Sequence, residues 1–102
     1  MTNTTEMVAG PADTAFLKRT WPNPDASADL LLVHGLYEHS GRWDHVGSYF
    51  QEHGYDVTMF DLRGHGQTSG PRLDVTPFSR FVDDLAWTVS YTHLTLPTIL
   101  RV

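Results

Sequence analysis

The sequence predicts an α/β fold in which helices flank a mostly parallel sheet. Two observations predict it: short apolar or β-branched runs alternate with amphipathic segments of helical spacing, and a polar, glycine-rich loop follows each of two such runs. A length of 102 residues limits the chain to one small domain, and 40% hydrophobic residues suit a globular core. We therefore expect a single α/β unit with no internal repeat.

The first third of the chain predicts a lead-in and two strands. Residues 1–14 are polar and rich in chain breakers, so we expect a loose lead-in. Ala15–Trp21 suits a short edge strand, and Pro22–Asp29 carries the prolines and aspartates of a turn. Leu30–Val33 is an unbroken apolar run between turn signals. Such a run is typical of a strand buried on both faces of a parallel sheet.

A helix and another strand follow. An apolar stripe at helical spacing predicts a helix over Arg42–His53, with the stripe in the core. The stripe consists of Trp43, Val46 and Phe50, with Tyr49 adjacent. Gly54 is placed to end this helix in the left-handed conformation. Tyr55–Leu62 is rich in β-branched and aromatic residues and predicts the next strand.

The last helix predicted from the sequence begins with a capping signal. Thr76 is a suitable N-cap, and Pro77 suits the first helical position. The apolar stripe of this helix consists of Phe78, Phe81, Val82 and Leu85. We expect Asp83 and Asp84 to face solvent. The complete order of strand, helix, strand, loop and helix is typical of a parallel α/β sheet.

The two glycine-rich loops predict a binding site. Ligands of open parallel sheets bind beyond the carboxyl ends of the strands, and His34-Gly35 stands at such an end. Glycine permits a sharp turn there, which would leave the N–H of Leu36 unpaired and directed into the cleft. An N–H in that position could stabilise an oxyanion.

Three motifs in this order give a specific resemblance. HGLYEHSGRW, YDVTMFDLRGHGQTSGPR and FSRFVDDL resemble the N-terminal part of the α/β-hydrolase family, in its branch of monoacylglycerol lipases, lysophospholipases and serine-aminopeptidase-like enzymes. The resemblance covers roughly Leu30 to Trp87. It implies a serine hydrolase of carboxylic esters, whose full-length form acts on a small ester or a monoacyl lipid.

The resemblance also implies roles for individual residues. Leu36 would supply one amide of the oxyanion hole, and His34 and Gly35 would shape its loop; these three are the candidate catalytic residues. Two further groups would brace the mouth of the site without entering the chemistry. They are Glu38, His39, Ser40, Gly41 and Arg42 in the first loop, and Asp61, Arg63, Gly64, His65 and Gly66 in the second.

No catalytic triad is recognisable in the chain. The nucleophile of this fold sits in a G-x-S-x-G turn, and neither Ser40 nor Ser69 has glycines two residues away on both sides. The sequence therefore predicts part of an α/β-hydrolase sheet, truncated before the nucleophile elbow. We expect the chain as given to be inactive.

The C-terminal segment allows two interpretations, a non-native tail or a native strand. VSYTHLTLPT, residues 89–98, matches the translation of a common transposase-type sequencing adaptor codon by codon. This match predicts an α/β-hydrolase part over residues 15–88 and a non-native tail over residues 89–102. The other interpretation is a real strand within Tyr91–Val102, interrupted by proline. Ser90 and His93 are accordingly not assigned to a triad.

Composition excludes several partners and sites. A net charge of −5 without a basic run argues against nucleic acid, and the absence of cysteine removes thiolate sites and disulfides. The six histidines show no HExxH or comparable ligand spacing, so we predict no metal and no cofactor. Neither a signal peptide nor a transmembrane run is recognisable, and we expect a cytoplasmic protein.

Two other functions remain open on the sequence. The first is another activity of the same fold, such as a peptidase or a dehalogenase, the latter marked by an aspartate at the elbow. The second is a catalytically inactive α/β-hydrolase-like binding protein, which would keep the mouth of the site and lack the triad.

Overall fold

A computed structural model describes residues 3–11, 14–35, 38–70, 72, 79–92 and, for the backbone, 99–101. Within these ranges five strands form one sheet in the order β1-β2-β4-β3-β5. The elements are β1 (Thr4–Ala9), β2 (Ala15–Trp21), β3 (Ala28–Val33), a 3₁₀ turn (Ser40–Trp43), α1 (Asp44–Glu52), β4 (Tyr55–Phe60), α2 (Ser79–Thr92) and β5 (Ile99–Arg101).

The sheet is mixed, with a parallel part that carries the site. β3 pairs in parallel with β4 on one side and with β5 on the other. The pairs β1–β2 and β2–β4 are antiparallel. β3 and β4 are joined by a crossover through α1, as a parallel pair requires, so their carboxyl ends lie at the same edge of the sheet.

The buried strand β3 divides the core into two layers, as its apolar run predicts. Leu30 and Leu32 pack with Trp21 on the face that α1 covers, and Leu31 packs with Phe16 on the face that α2 covers. The helix stripe of Trp43, Val46 and Phe50 lies against the first layer. Both predictions of core position are confirmed.

The start of the chain differs from the prediction. Residues 4–9, expected in a loose lead-in, form β1 and pair with residues 15–20 of β2. Ala15–Trp21 is a strand as predicted, but it lies between β1 and β4 and is not an edge. Of the side chains of β1 only Val8 is buried, so the strand depends on backbone pairing and leaves little apolar pattern in the sequence.

The two helices agree with the sequence in part. The predicted helix over 42–53 is present as the 3₁₀ turn and α1, and Gly54 has a φ of 95°. α2 is described from Ser79 onward, so Thr76, Pro77 and Phe78 lie outside the described residues.

The stripe predicted on α2 is confirmed at Phe81, which is buried, and at Leu85, which packs against the core, and it is wrong at Val82. The buried positions are Phe81, Asp84 and Thr88, whereas Val82 is 57% exposed. The prediction that Asp84 faces solvent is wrong, since its side chain is buried and paired with Arg63. Asp83 is exposed as expected.

The packing of α1 on the sheet depends on one glycine. A Cβ built at Gly47 would lie 2.2 Å from the ring of Trp21. The same indole donates its N–H to the Asp44 carboxylate at 2.8 Å. This bond, followed by one from Asn3, lowers the pKa of Asp44 below its ordinary value. The helix therefore approaches the ring more closely than any residue with a side chain would allow.

We expect Gly47→Ala to destabilise the chain. Alanine in a helix is otherwise favoured over glycine by about 0.5–1 kcal/mol, so steric overlap with Trp21 has to reverse the sign, with a net loss of about 1–3 kcal/mol. Urea unfolding followed by tryptophan fluorescence measures the change. Ser48→Ala, one position along α1, is the matched control, and a Gly47→Ala variant as stable as the wild type would contradict the close packing.

Candidate functional site

The site consists of the two loops that leave the carboxyl ends of β3 and β4. His34 directly follows β3, and Asp61 directly follows β4. Both side chains are almost completely buried. Since β3 and β4 are neighbours in the sheet, the two loops begin side by side. The sequence predicts one site at this edge, and both loops lie there.

The His34 imidazole links the two loops. Its Nε2 lies 2.9 Å from the backbone N of Leu62, and its Nδ1 lies 2.8 Å from the carbonyl oxygen of Gly35. An amide donates and a carbonyl accepts, so Nε2 accepts a hydrogen bond from the Leu62 N–H and Nδ1–H donates one to the Gly35 carbonyl. These partners assign the neutral imidazole with its proton on Nδ1.

The electrostatics of His34 agree with a neutral ring. Burial lowers its pKa below 6.5, because the cation would lose its hydration. The bond to Gly35 and the charge of Asp61 act in the opposite direction, and His65 and His39 lower the pKa further. Burial outweighs the opposing contributions, and protonation of Nε2 would also remove the acceptor of the Leu62 amide.

The carbonyl of Gly35 has a second donor. The backbone N–H of Glu38 donates to the same oxygen at 3.2 Å, which closes a tight turn after β3. The carbonyl is therefore fixed from two directions. Leu36, the predicted oxyanion donor, lies outside the described residues.

The Asp61 carboxylate joins the loops a second time. One of its oxygens accepts the N–H of Ser40 at 2.7 Å, and the other accepts the N–H of Gln67 at 3.0 Å. A Cβ at Gly66, whose φ is 51°, would lie 2.2 Å from that second oxygen. Glycine at this position is thus required by both the backbone conformation and the approach of the carboxylate.

The second loop is also bound to the rest of the sheet. The hydroxyl of Thr68 donates to the Asp61 carbonyl at 2.6 Å, and its oxygen accepts the N–H of Leu17 at 2.9 Å. The N–H of Ser69 donates to the Ala15 carbonyl at 3.0 Å. Through these bonds the loop continues the hydrogen bonding of β2 and holds a fixed position over its start.

The brace expected from residues 38–42 is present in part. The Ser40 hydroxyl accepts a bond from Nε of Arg19 at 3.1 Å, and Glu38 and Arg42 form an exposed ion pair at 3.6 Å. Arg19, which sequence reasoning missed, reaches this loop from β2. The consecutive polar residues Lys18–Thr20 in β2 were the available signal, but they do not reveal the partner.

A buried ion pair joins the second loop to α2. Nε and Nη2 of Arg63 donate to the two oxygens of Asp84 at 2.9 and 2.8 Å, and Nη1 donates to the Thr14 hydroxyl. The Arg63 carbonyl accepts a bond from Nδ1–H of His65 at 2.9 Å, and the His65 ring lies 5.7 Å from that of His34. The resemblance implied a structural role for Arg63, whereas Asp84 was expected to face solvent.

Within the described ranges, no three histidine, aspartate or glutamate side chains are grouped so as to hold a metal ion. The helices in those ranges include none with the length and apolar character needed to cross a bilayer.

Comparison with known proteins identifies the family. Residues 24–99 match the profile of the family described as serine aminopeptidase, S33. The chain belongs to this family of α/β-hydrolases. The matched range is wider than the stretch from Leu30 to Trp87 that carries the motifs.

Lipases are among the similar sequences. A monoacylglycerol lipase of Mycolicibacterium smegmatis is 35% identical over 96 residues, which cover 90% of this chain and 34% of the lipase. Phospholipase YtpA of Bacillus subtilis is 30% identical over 82 residues, covering 79% of this chain and 32% of that protein. This S33 chain therefore has lipase-like relatives and spans about a third of their length.

Solved structures confirm the α/β-hydrolase fold. A hydrolase from Thermoplasma acidophilum, described as CIB-like, superposes with a TM-score of 0.80 at 17% identity, covering 99% of this chain and 51% of the other. An epoxide hydrolase mutant from Vigna radiata also gives 0.80, at 19% identity, with 97% and 30% covered.

We predict that the buried His34 makes stability depend on pH. The unfolded chain binds a proton near pH 6.5, whereas folded His34 does so only at lower pH. Stability is therefore lost as pH falls below 6.5 toward the lowered pKa, at about 1.4 kcal/mol per unit between the two values. Urea unfolding at a series of pH values measures this loss.

The matched variants separate His34 from other groups. His34→Gln keeps an acceptor for the Leu62 amide and removes the titration, so part of the loss should disappear. His45→Gln, at an exposed position on α1, is the matched control for replacing an imidazole by an amide. Parallel profiles for the wild type and His34→Gln would show that the buried ring does not control the effect.

Proposed function

We propose that the chain supplies the oxyanion-binding loop of an esterase or lipase, whose longer form acts on monoacyl lipids or related small esters. The S33 family and the lipase-like relatives support the reaction class. The position of His34-Gly35 at the carboxyl end of β3 supports the place of the loop in the reaction.

The observation that carries the proposal is that the carbonyl oxygen of Gly35 accepts two hydrogen bonds. Nδ1–H of His34 and N–H of Glu38 both donate to it. A peptide unit is planar and trans, so the next N–H points away from the carbonyl and hence away from these two donors. The Leu36 N–H would therefore not be used within the turn and could donate to a negatively charged oxygen.

The remaining catalytic groups have to come from outside the described loops. In the proposed reaction a serine oxygen attacks the ester carbonyl, a histidine takes the serine proton, and an acid orients that histidine. The carbonyl oxygen becomes an oxyanion and accepts the Leu36 N–H. We propose that these three groups lie in a native frame that continues beyond Thr88, with residues 15–88 as the native part and residues 89–102 as a non-native tail.

The chain as given should not hydrolyse esters. We expect no turnover of a nitrophenyl ester above the buffer rate, because the sequence has no G-x-S-x-G motif. A spectrophotometric assay of the purified chain measures this. Turnover that tracks the protein through purification would show that the assignment of the site is wrong.

Sequencing the source DNA beyond the codon of Thr88 with adaptor-independent primers tests the rest of the proposal. A G-x-S-x-G motif downstream would support the ester hydrolase, and an aspartate at the elbow would indicate a dehalogenase. A confirmed stop after Val102 would exclude a serine triad and favour a binding protein.

In the longer enzyme, Leu36→Pro should remove the proposed oxyanion donor. Proline lacks the N–H, and loss of one such donor lowers kcat by about 10²–10³. Leu36→Ala is the matched control, because it shortens the side chain and keeps the amide. Steady-state kinetics on a nitrophenyl ester and on a monoacylglycerol measure both variants. Equal kcat values for the two variants, with both folded, would contradict the proposal.

A further inference from the structure

We propose that the buried pair of Arg63 and Asp84 is a positioning device that holds α2 against the second loop and thereby fixes the His34 imidazole beside the oxyanion turn. The functional part of this inference rests on the proposed role of that turn. The arrangement of the pair stands on contacts of the described residues alone.

The geometry of the pair restricts motion in more than one direction. Both carboxylate oxygens of Asp84 are bonded to Arg63, and the third nitrogen of the guanidinium reaches Thr14. Arg63 is 8% exposed and Asp84 is 1% exposed. A planar, bidentate pair fixes distance and orientation together, so α2, the second loop and the segment before β2 keep one relative position.

Stability alone is a weak reason for such a pair. Removing two charges from water costs free energy that their attraction often only balances, and apolar residues of similar size often give equal or greater stability. The pair differs from an apolar contact in its directionality, because an apolar contact allows sliding. We therefore attribute to the pair the fixed placement of the loop.

The second loop is built around the Arg63 side chain. A Cβ at Gly70, whose φ is 115°, would lie 2.9 Å from Cγ of Arg63. The N–H of Gly64 donates to the Ser69 carbonyl at 3.1 Å and closes the loop beside the side chain. The position of the guanidinium thus sets the position of the loop backbone.

A short path connects this backbone to His34. Leu62, whose N–H is bonded to Nε2 of His34, directly precedes Arg63 in the chain. The Arg63 carbonyl accepts a hydrogen bond from His65, and the centroid of the His65 ring lies 5.7 Å from that of His34 and 6.1 Å from that of Phe81. A shift of Arg63 would move the Leu62 amide and the His65 ring, both of which lie beside the His34 ring.

Variants of the pair in the full chain test the inference. Arg63→Lys keeps the charge and loses the planar fork. Asp84→Asn removes the charge of the partner, and Asp83→Asn is the matched control, since Asp83 is the adjacent exposed carboxylate. A double variant, Arg63→Met with Asp84→Leu, replaces the pair by apolar side chains. It tests the inference in a folded chain if Asp84→Asn unfolds.

Two nuclear magnetic resonance signals report the position of His34: the titration of its imidazole nitrogens and the hydrogen exchange of the Leu62 amide. In Arg63→Lys, Asp84→Asn and the double variant we expect the His34 pKa to rise toward its ordinary value. Leu62 should exchange faster by about tenfold, the factor that loss of one hydrogen bond gives. Asp83→Asn should change neither signal.

The direction of the pKa change separates positioning from electrostatics. Loss of the Asp84 charge leaves the Arg63 cation unbalanced, which would lower the pKa of a nearby histidine, whereas release of the ring toward water raises it. Arg63→Lys leaves the net charge unchanged, so any shift there is positional.

The inference is overturned if Arg63→Lys or the double variant folds with both His34 signals unchanged. It is also overturned if neither variant folds, because the pair would then be a requirement of folding rather than of placement. Failure of the oxyanion proposal is recognised separately, by equal kcat values of Leu36→Pro and Leu36→Ala.

Discussion

The carboxylate of Asp61 is the contact on which the geometry of the site depends. Its two oxygens accept amides from different loops, Ser40 in the first and Gln67 in the second. Each amide would otherwise be an unsatisfied donor near the core, and such a donor costs about 1–3 kcal/mol. The same carboxylate leaves no space for a side chain at Gly66. The two loops therefore form one unit around a single buried acid.

The neutral His34 and the charged pair of Arg63 and Asp84 make different connections in this unit. The neutral His34 ring carries a donor and an acceptor at opposite ends, so it can join Leu62 to Gly35. The charged Arg63 and Asp84 satisfy each other in the interior and connect the unit to α2. These contacts fix the backbone directions of the two loops, and under the proposed function that would be the preorganisation that oxyanion stabilisation requires.

Local patterns in the sequence were sufficient for the elements with an apolar face. The run Leu30–Val33 and the stripe of α1 were predicted because burial on a sheet imposes a periodicity that a short window reveals. β1 was missed because an edge strand buries almost nothing and is held by its backbone. Asp84 was placed in solvent because its partner lies 21 residues away, in a loop whose path only the fold determines.

The site was likewise predictable from local patterns but not in its long-range contacts. The glycines and histidines of the two loops marked its location, and the order of motifs indicated the α/β-hydrolase family. The contacts of Arg19 with Ser40, and of Thr68 with Leu17, join segments distant in sequence and have no local pattern. Sequence reasoning therefore predicted that the two loops lie together and identified the α/β-hydrolase family, whereas the side chains that hold the loops required coordinates.

Native-state hydrogen exchange at three amides tests most directly whether the two loops form one unit. Ser40 and Gln67 are bonded to Asp61, and Leu62 is bonded to His34. If the loops open together, the three amides exchange with one common free energy of opening and respond equally to added urea. Separate opening energies, or a Leu62 amide that exchanges at the unprotected rate, would contradict the account.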